Sequence, residues 1–144
     1  MAKIDDVAKC FLYLDDTNEG DGISNLKLQK LVYYAQGFYS AIFNKPLFDD
    51  GISAWAHGPV VQNLYHKYKE HGSNRIPVPT DFNPASLGKE EFELIEEVFE
   101  VFGQYSAWKL RNMTHEESPW QNHETDAETI PLPEITDYFK NRLN

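Results

Sequence analysis

The chain has 144 residues, 41% hydrophobic and 14% aromatic, which suits one domain with a single core and excludes disorder throughout. Its net charge of -10 disfavours direct nucleic-acid binding, because phosphate backbones bind basic surfaces, and suits a basic protein partner. With one cysteine, no apolar N-terminal segment and no long apolar run, we expect a cytoplasmic protein that neither enters nor crosses a membrane.

The first half of the chain predicts two helices. Apolar residues at spacings of three and four indicate a helix from Ile4 to about Asp16, followed by a loop rich in turn-forming residues. Ser24 is the predicted N-cap of a second helix that ends near Phe43. Apolar residues cover two sides of this helix, which is typical of a central helix packed all round. Its polar residues form two narrow seams, Gln29/Gln36/Ser40 and Lys27/Lys30/Tyr34.

The seams have two interpretations. The ordinary one is that their side chains face solvent or bind nearby backbone groups. The other is that the seam Lys27/Lys30/Tyr34 is exposed and contacts a partner.

The middle of the chain predicts a short strand and a third helix. Apolar and polar residues alternate from Ile52 to His57, which indicates a strand. Gly58 ends it, and Pro59 is predicted at the first position of a helix that ends near His71. Residues 75–79 are a candidate edge strand paired with residues 52–56, since their two prolines exclude a central position.

The remaining elements are helical. Amphipathic patterns predict helices at 89–102 and 107–115, a loop over 114–128, and a last helix from Pro133. The predicted fold is mainly α, with about six helices around a central apolar helix and one small β-hairpin or strand pair. We expect a single domain over residues 1–144.

The sequence has no recognised catalytic or metal-binding motif. His115-Glu116 lacks the second histidine of a zinc-protease motif, because position 119 is proline. Glycine-rich phosphate loops and serine-hydrolase elbows do not occur. We therefore predict no metal, no cofactor and no catalytic residues.

His57 is the most plausible general base if the chain is an enzyme. It lies at the predicted junction of a strand and a helix, where an oriented neutral imidazole could transfer protons. Catalysis would also need a carboxylate, from Asp49 or Asp50 or from residues 115–117. The alternative is that His57 only occupies the corner between the strand and the helix and has a structural role.

The tryptophans suggest protein contacts instead. Trp55 and Trp120 each lie near the end of a predicted element, beside polar residues. Half-exposed tryptophans are frequent anchors of protein interfaces, although packing in the core is equally ordinary.

Four motifs occur in a characteristic order. They are LKLQKLVYYAQ (26–36), PLF followed by I-x-AW-x-x-GPVV (46–61), YSAWKLRNMTH (105–115) and SPW (118–120). This series resembles the Panacea antitoxin domain, the SocA-like family of phage-associated proteins, over nearly the whole chain. One departure is His57, which stands where family members often carry an aromatic residue before GPVV.

The resemblance implies a non-enzymatic antitoxin of a type II toxin–antitoxin system. It would neutralise a toxin encoded nearby by direct binding, and some family members deliver the toxin to a protease. The candidate partner contacts are Trp55, His57, Trp120, Lys27, Lys30 and Tyr34. The alternatives are a small hydrolase or transferase of phage origin that uses His57 and a carboxylate, and a transcriptional regulator, which would need a basic face.

Overall fold

The computed structural model describes residues 1–15 and 22–143. In these ranges there are seven α-helices and three short strands. The helices are α1 (Ile4–Leu14), α2 (Asn25–Phe43), α3 (Gln62–Tyr68), α4 (Lys89–Phe102), α5 (Ala107–His115), α6 (Ser118–Gln121) and α7 (Leu132–Lys140). The strands are β1 (Ile52–Trp55), β2 (Gly58–Val60) and β3 (Thr129–Ile130). The predicted mainly α fold with a small sheet is confirmed.

Helix α2 is the centre of the structure, as its two apolar sides predict. It packs against α1, α3, α4, α5 and α7. Ser24 caps it by accepting a hydrogen bond from the Lys27 N–H. Asn44, in the left-handed conformation with φ 57°, ends it.

Helix α7 packs so closely on α2 that only glycine fits at the contact. A Cβ atom added to Gly37 would lie 2.2 Å from the Phe139 ring. Phe139 is fully buried and makes edge-on ring contacts with Tyr33, Tyr34 and Phe38. This aromatic cluster fixes the C-terminal helix on the central one.

The sheet corrects two sequence predictions. Its order is β2–β1–β3, and β1 pairs antiparallel with both neighbours. Pro59 does not begin a helix: it lies in β2, an edge strand, where its missing N–H disturbs no ladder. Helix α3 begins three residues later, at Gln62.

The predicted strand at 75–79 is also wrong. Residues 129–130 occupy the second edge of β1, and residues 75–79 have no strand structure. The Ile76 N–H instead donates to the Ile23 carbonyl, beside the start of α2. The two prolines leave this segment few N–H groups for a ladder, so the short strand after α6 pairs with β1.

Other boundaries agree closely with the predictions. Helices α4 and α5 have the predicted bounds, and the last helix begins one residue before Pro133. Helix α6 lies within the predicted loop 114–128. The end of the first predicted helix, Asp16, and most of the following loop lie outside the described residues. No helix in the described ranges is both long and apolar enough to cross a membrane.

Candidate partner-binding surface

The β1–β2 hairpin places Trp55 and His57 at a tight turn. Trp55 pairs with Gly58 across the hairpin, so only Ala56 and His57 connect the strands. Gly58 has a φ of +108°, which supplies the backbone geometry that closes the turn. His57 is exposed and Trp55 is half-buried. The turn therefore presents both side chains at the surface.

Helix α5 brings a cation and a second tryptophan to this turn. The Arg111 Nε donates to His57 Nδ1 at 3.4 Å, and its guanidinium lies 4.4 Å from the Trp108 ring centre. Trp108 is 54% exposed. Trp108 and Arg111 were not predicted as site residues, although their spacing of three places them on one face of a helix.

An apolar groove of about 450 Å³ adjoins the turn. The Trp55 and Tyr65 rings meet edge-on, with centroids 5.2 Å apart, and both line it. Leu26, Val60 and His57 complete most of its wall. We name the surface formed by the groove's aromatic side and the α5 cation the hairpin patch: Trp55, His57, Tyr65, Trp108 and Arg111.

Trp120 lies beneath the hairpin patch and fixes the backbone of β1. It is buried, and its indole Nε1–H donates to the Trp55 carbonyl at 2.7 Å. The His115 ring stacks on it at 3.8 Å between centroids. With its polar atom used and its ring covered, Trp120 holds β1 in place and offers little surface to a partner.

The predicted exposed seam is wrong, because Lys27, Lys30 and Tyr34 are each 7% exposed or less. The Lys27 Nζ donates to the Gly103 carbonyl at 2.7 Å, and the Lys30 Nζ donates to the Pro59 carbonyl at 3.1 Å. Helices α4 and α5 pack on this side of α2 and cover the seam. These residues stabilise the fold and expose little side-chain surface to a partner.

The other seam confirms the ordinary interpretation that its side chains bind backbone groups. Gln36 donates to the Phe48 carbonyl and accepts from the Leu47 N–H. Gln29 accepts from the Val61 N–H, just before α3. Both amides are buried, so they replace water as the hydrogen-bond partner of chain segments without regular structure.

Glu117, in the segment 115–117 that the sequence offered as a source of a catalytic carboxylate, is instead a buried acid with a structural role. Its carboxylate accepts hydrogen bonds from the Tyr33 hydroxyl at 2.8 Å and the Tyr34 hydroxyl at 2.7 Å, and it pairs with Arg142 at 3.1 Å. Burial raises the pKa of Glu117, although these three hydrogen bonds oppose the shift.

The hydrolase hypothesis requires His57 and a carboxylate side by side, and the structure does not bring such a pair together. The side-chain partner of His57 is the cation Arg111. Asp50 accepts from Asn63 instead, and Glu117 is engaged by the two tyrosines. In the described part of the chain no carboxylate forms a hydrogen bond or ion pair with His57, and no group of three His, Cys, Asp or Glu side chains could hold a metal ion.

Lys30 is a buried amine close to the hairpin. Burial, with a smaller contribution from the Arg111 charge, lowers the pKa of Lys30 to about 7. In an unfolded chain the pKa of lysine is about 10.4. At pH values between these two pKa values, Lys30 is protonated in the unfolded state but mostly neutral in the folded state. The unfolded state therefore binds more protons, and the free energy of unfolding rises with pH.

We expect this rise to depend on Lys30. Between pH 7.5 and 8.5 the unfolding free energy of the natural protein should increase by about 1 kcal/mol more than that of Lys30→Met, which carries no proton. Urea denaturation at both pH values measures the difference. Lys109→Met, at an exposed position, is the control and should retain the natural slope. Equal slopes for the natural protein and Lys30→Met would show that Lys30 keeps an ordinary pKa.

Comparison with known protein families identifies the family of this chain. The family described as "Antitoxin SocA-like, Panacea domain" matches residues 28–121. The chain belongs to this family. Antitoxin SocA of Caulobacter vibrioides (strain NA1000 / CB15N) is 31% identical over 109 residues, which cover 68% of this chain. The chain spans 58% of the length of that relative. No solved structure matches.

The part of the chain that matches the Panacea family contains a connected set of buried hydrogen bonds. Gln29 and Lys30 of the first motif bind the GPVV segment, and Gln36 binds the PLF segment. Tyr33 and Tyr34, also of the first motif, bind Glu117, which directly precedes the SPW motif. The tryptophan of SPW, Trp120, donates a hydrogen bond to the Trp55 carbonyl. The polar residues of the motifs therefore connect one motif to another.

Proposed function

We propose that the chain is an antitoxin that acts in the cytoplasm and neutralises a cognate protein toxin by direct binding. Membership of the SocA-like Panacea family supports the antitoxin role. The observation that carries the binding mechanism is the hairpin patch, where the exposed Trp108 and the half-buried Arg111 contact His57, which lines an apolar groove. Tryptophan, tyrosine and arginine beside a pocket are the side chains that most often dominate interface energies.

Trp55 and His57 are the proposed contacts among the residues singled out from the sequence. Both reach the surface at the hairpin turn, and Trp108 and Arg111 extend the same patch. Trp120, Lys27, Lys30 and Tyr34 act indirectly, because their buried hydrogen bonds fix the backbone around this turn and α2. The toxin, on this proposal, covers the patch and excludes water from it.

The proposal predicts that the patch decides toxin affinity. Trp55→Ala should weaken binding to the adjacent gene's product about 30-fold, as expected for an interface anchor worth about 2 kcal/mol. Because Trp55 is half-buried, Trp108→Ala is a second variant that leaves the core intact, and it should weaken binding in the same direction. Affinity is measured by titration calorimetry, and neutralisation by growth of cells that express both proteins.

Tyr13→Ala is the matched control, since Tyr13 is another exposed aromatic residue that packs on Phe82, away from the patch. Its affinity should equal that of the natural protein. If Trp55→Ala and Trp108→Ala both bind normally, the patch is not the contact. If the natural protein neither rescues growth nor co-purifies with the toxin, the antitoxin proposal fails.

Direct neutralisation and delivery to a protease differ in the fate of the toxin. Under direct binding, toxin remains abundant in rescued cells as a complex with this chain. Under delivery, its amount falls and rescue requires the protease. Immunoblots of the toxin after synthesis is stopped separate the two mechanisms, and we propose the first.

A further inference from the structure

A second groove, of about 510 Å³, runs between α2 and α4 and is separate from the hairpin patch. Its floor is apolar. The principal floor residues are Phe38, Ile42, Leu94, Val98, Val101 and Phe102. Arg142 and Leu143, after α7, close one end.

Several apolar side chains that line the groove are exposed to solvent. Six large hydrophobic side chains are exposed in the described part of the chain, and three of them line this groove. They are Ile42, Val101 and Leu143, exposed by 44%, 49% and 38%. Single exposed apolar residues are ordinary, but a cluster rimmed by polar residues marks an interaction surface.

One rim of the groove is a stripe of glutamates on α4. Glu90, Glu93, Glu97 and Glu100 follow spacings of three, four and three, so they share one helix face over about 15 Å. All four are exposed. Glu97 and Glu100 line the groove, and the first three line an adjoining depression of about 390 Å³ beside Ile42 and Phe43.

The negative charge of this rim is hardly neutralised within the chain. The only ion pair of the stripe joins Glu93 to Lys89 at 4.0 Å, and in the described ranges no cation lies within ion-pair distance of the other three. Arg142, at the groove end, is already paired with Glu117. The rim therefore attracts cations from outside the molecule.

We propose that this acidic groove holds an amphipathic helix of the toxin, with an apolar stripe on the groove floor and lysines or arginines against the glutamates. The inference rests on the proposed function and adds a second contact to the hairpin patch. Helix-in-groove binding suits a surface between two helices. A second copy of this chain is a poor occupant, because its charge of -10 would place like charges face to face.

A designed peptide tests the groove without the toxin. The probe is a labelled helix of about 14 residues, roughly four turns, with leucines on one face and lysines on the other. Fluorescence anisotropy should detect binding that weakens as salt rises. The same peptide with glutamate in place of lysine should bind at least about tenfold more weakly.

Val101→Asp separates groove binding from simple charge attraction. The added negative charge would strengthen binding of a basic peptide if only charge mattered. Occupation of the apolar floor predicts the reverse, a loss of about tenfold or more. Val101 is 49% exposed, so the substitution leaves the core intact. Equal or tighter binding by Val101→Asp overturns the proposal.

A second experiment measures binding of the toxin itself. The double variant Glu97→Lys, Glu100→Lys should bind the toxin at least about tenfold more weakly than Glu70→Lys, Glu124→Lys, which makes the same change of charge at exposed positions outside the groove. Equal affinities overturn the groove as a toxin contact while leaving the antitoxin role standing. If the natural chain binds no toxin, the proposed function fails. The peptide experiment alone then decides whether the groove binds an amphipathic basic helix.

Discussion

Replacing Glu117 with alanine is expected to lower the free energy of unfolding by about 2–4 kcal/mol, because two buried hydroxyls each lose a charged acceptor. The change leaves three groups without their acceptor: the hydroxyls of Tyr33 and Tyr34, and the Arg142 guanidinium. Both tyrosines are fully buried, so their hydroxyls cannot turn toward water.

The electrostatics of the site agree with this expectation. Burial and the Glu117 charge raise the pKa of Tyr33 and of Tyr34, so both hydroxyls keep their protons and donate them to the carboxylate. Arg142 also lies against several aromatic rings, including that of Phe139. Losing Glu117 removes the ion pair that holds the exposed Arg142 side chain over these rings, and the contact between α7 and α2 weakens.

Glu116→Ala is the matched control, because Glu116 is the adjacent, exposed glutamate. It should change stability by less than about 0.5 kcal/mol. Glu117→Gln should fall between the two, since an amide oxygen can accept one tyrosine hydroxyl but cannot compensate Arg142. Urea denaturation of the three variants gives the comparison. A Glu117→Ala value near that of Glu116→Ala would contradict a structural role for the carboxylate.

The helices were predictable because their information is local. Spacings of three and four predict the bounds of α4 and α5, and Ser24 marks the start of α2. The centrality of α2 also followed from its two apolar sides. Each of these inferences uses residues within one or two turns of each other.

The seam Lys27/Lys30/Tyr34 of α2 was misjudged because its partners are distant in the chain. Tyr34 meets Glu117 83 residues away, and Lys27 meets Gly103 76 residues away. A lysine followed three residues later by another ordinarily indicates a solvated face. Here the packing of α4 and α5 converts both ammonium groups into buried donors, and no local pattern reveals which carbonyls they reach.

The hairpin shows a conflict between two local signals. Proline is favoured at the first position of a helix and is also tolerated on an edge strand, so Pro59 alone does not decide between them. The decisive factor is the pairing of Trp55 with Gly58, which places the proline in β2. The same turn brings His57 to Arg111 of α5, a juxtaposition set by tertiary structure.

Gly58→Ala is expected to destabilise the protein by about 3–4 kcal/mol, since two costs add at one position. Gly58 has a φ of +108°, which strains any residue with a Cβ atom. That Cβ would lie 2.5 Å from Lys30 Cε and 2.8 Å from Thr114 Oγ1. Lys30 is fully buried and bonded to the Pro59 carbonyl, so it can move only by breaking that bond.

Gly72→Ala separates the two costs. Gly72 also has a positive φ, +56°, but a Cβ atom there would meet nothing within 4 Å, so only backbone strain, of about 1–3 kcal/mol, is expected. Thermal and urea denaturation of both variants measure the difference, which is the cost of crowding Lys30. Combining Gly58→Ala with Lys30→Ala should recover part of that difference, because the shorter side chain removes the clash. If the two glycine variants are equally stable, the close approach of the hairpin to α2 does not constrain Gly58.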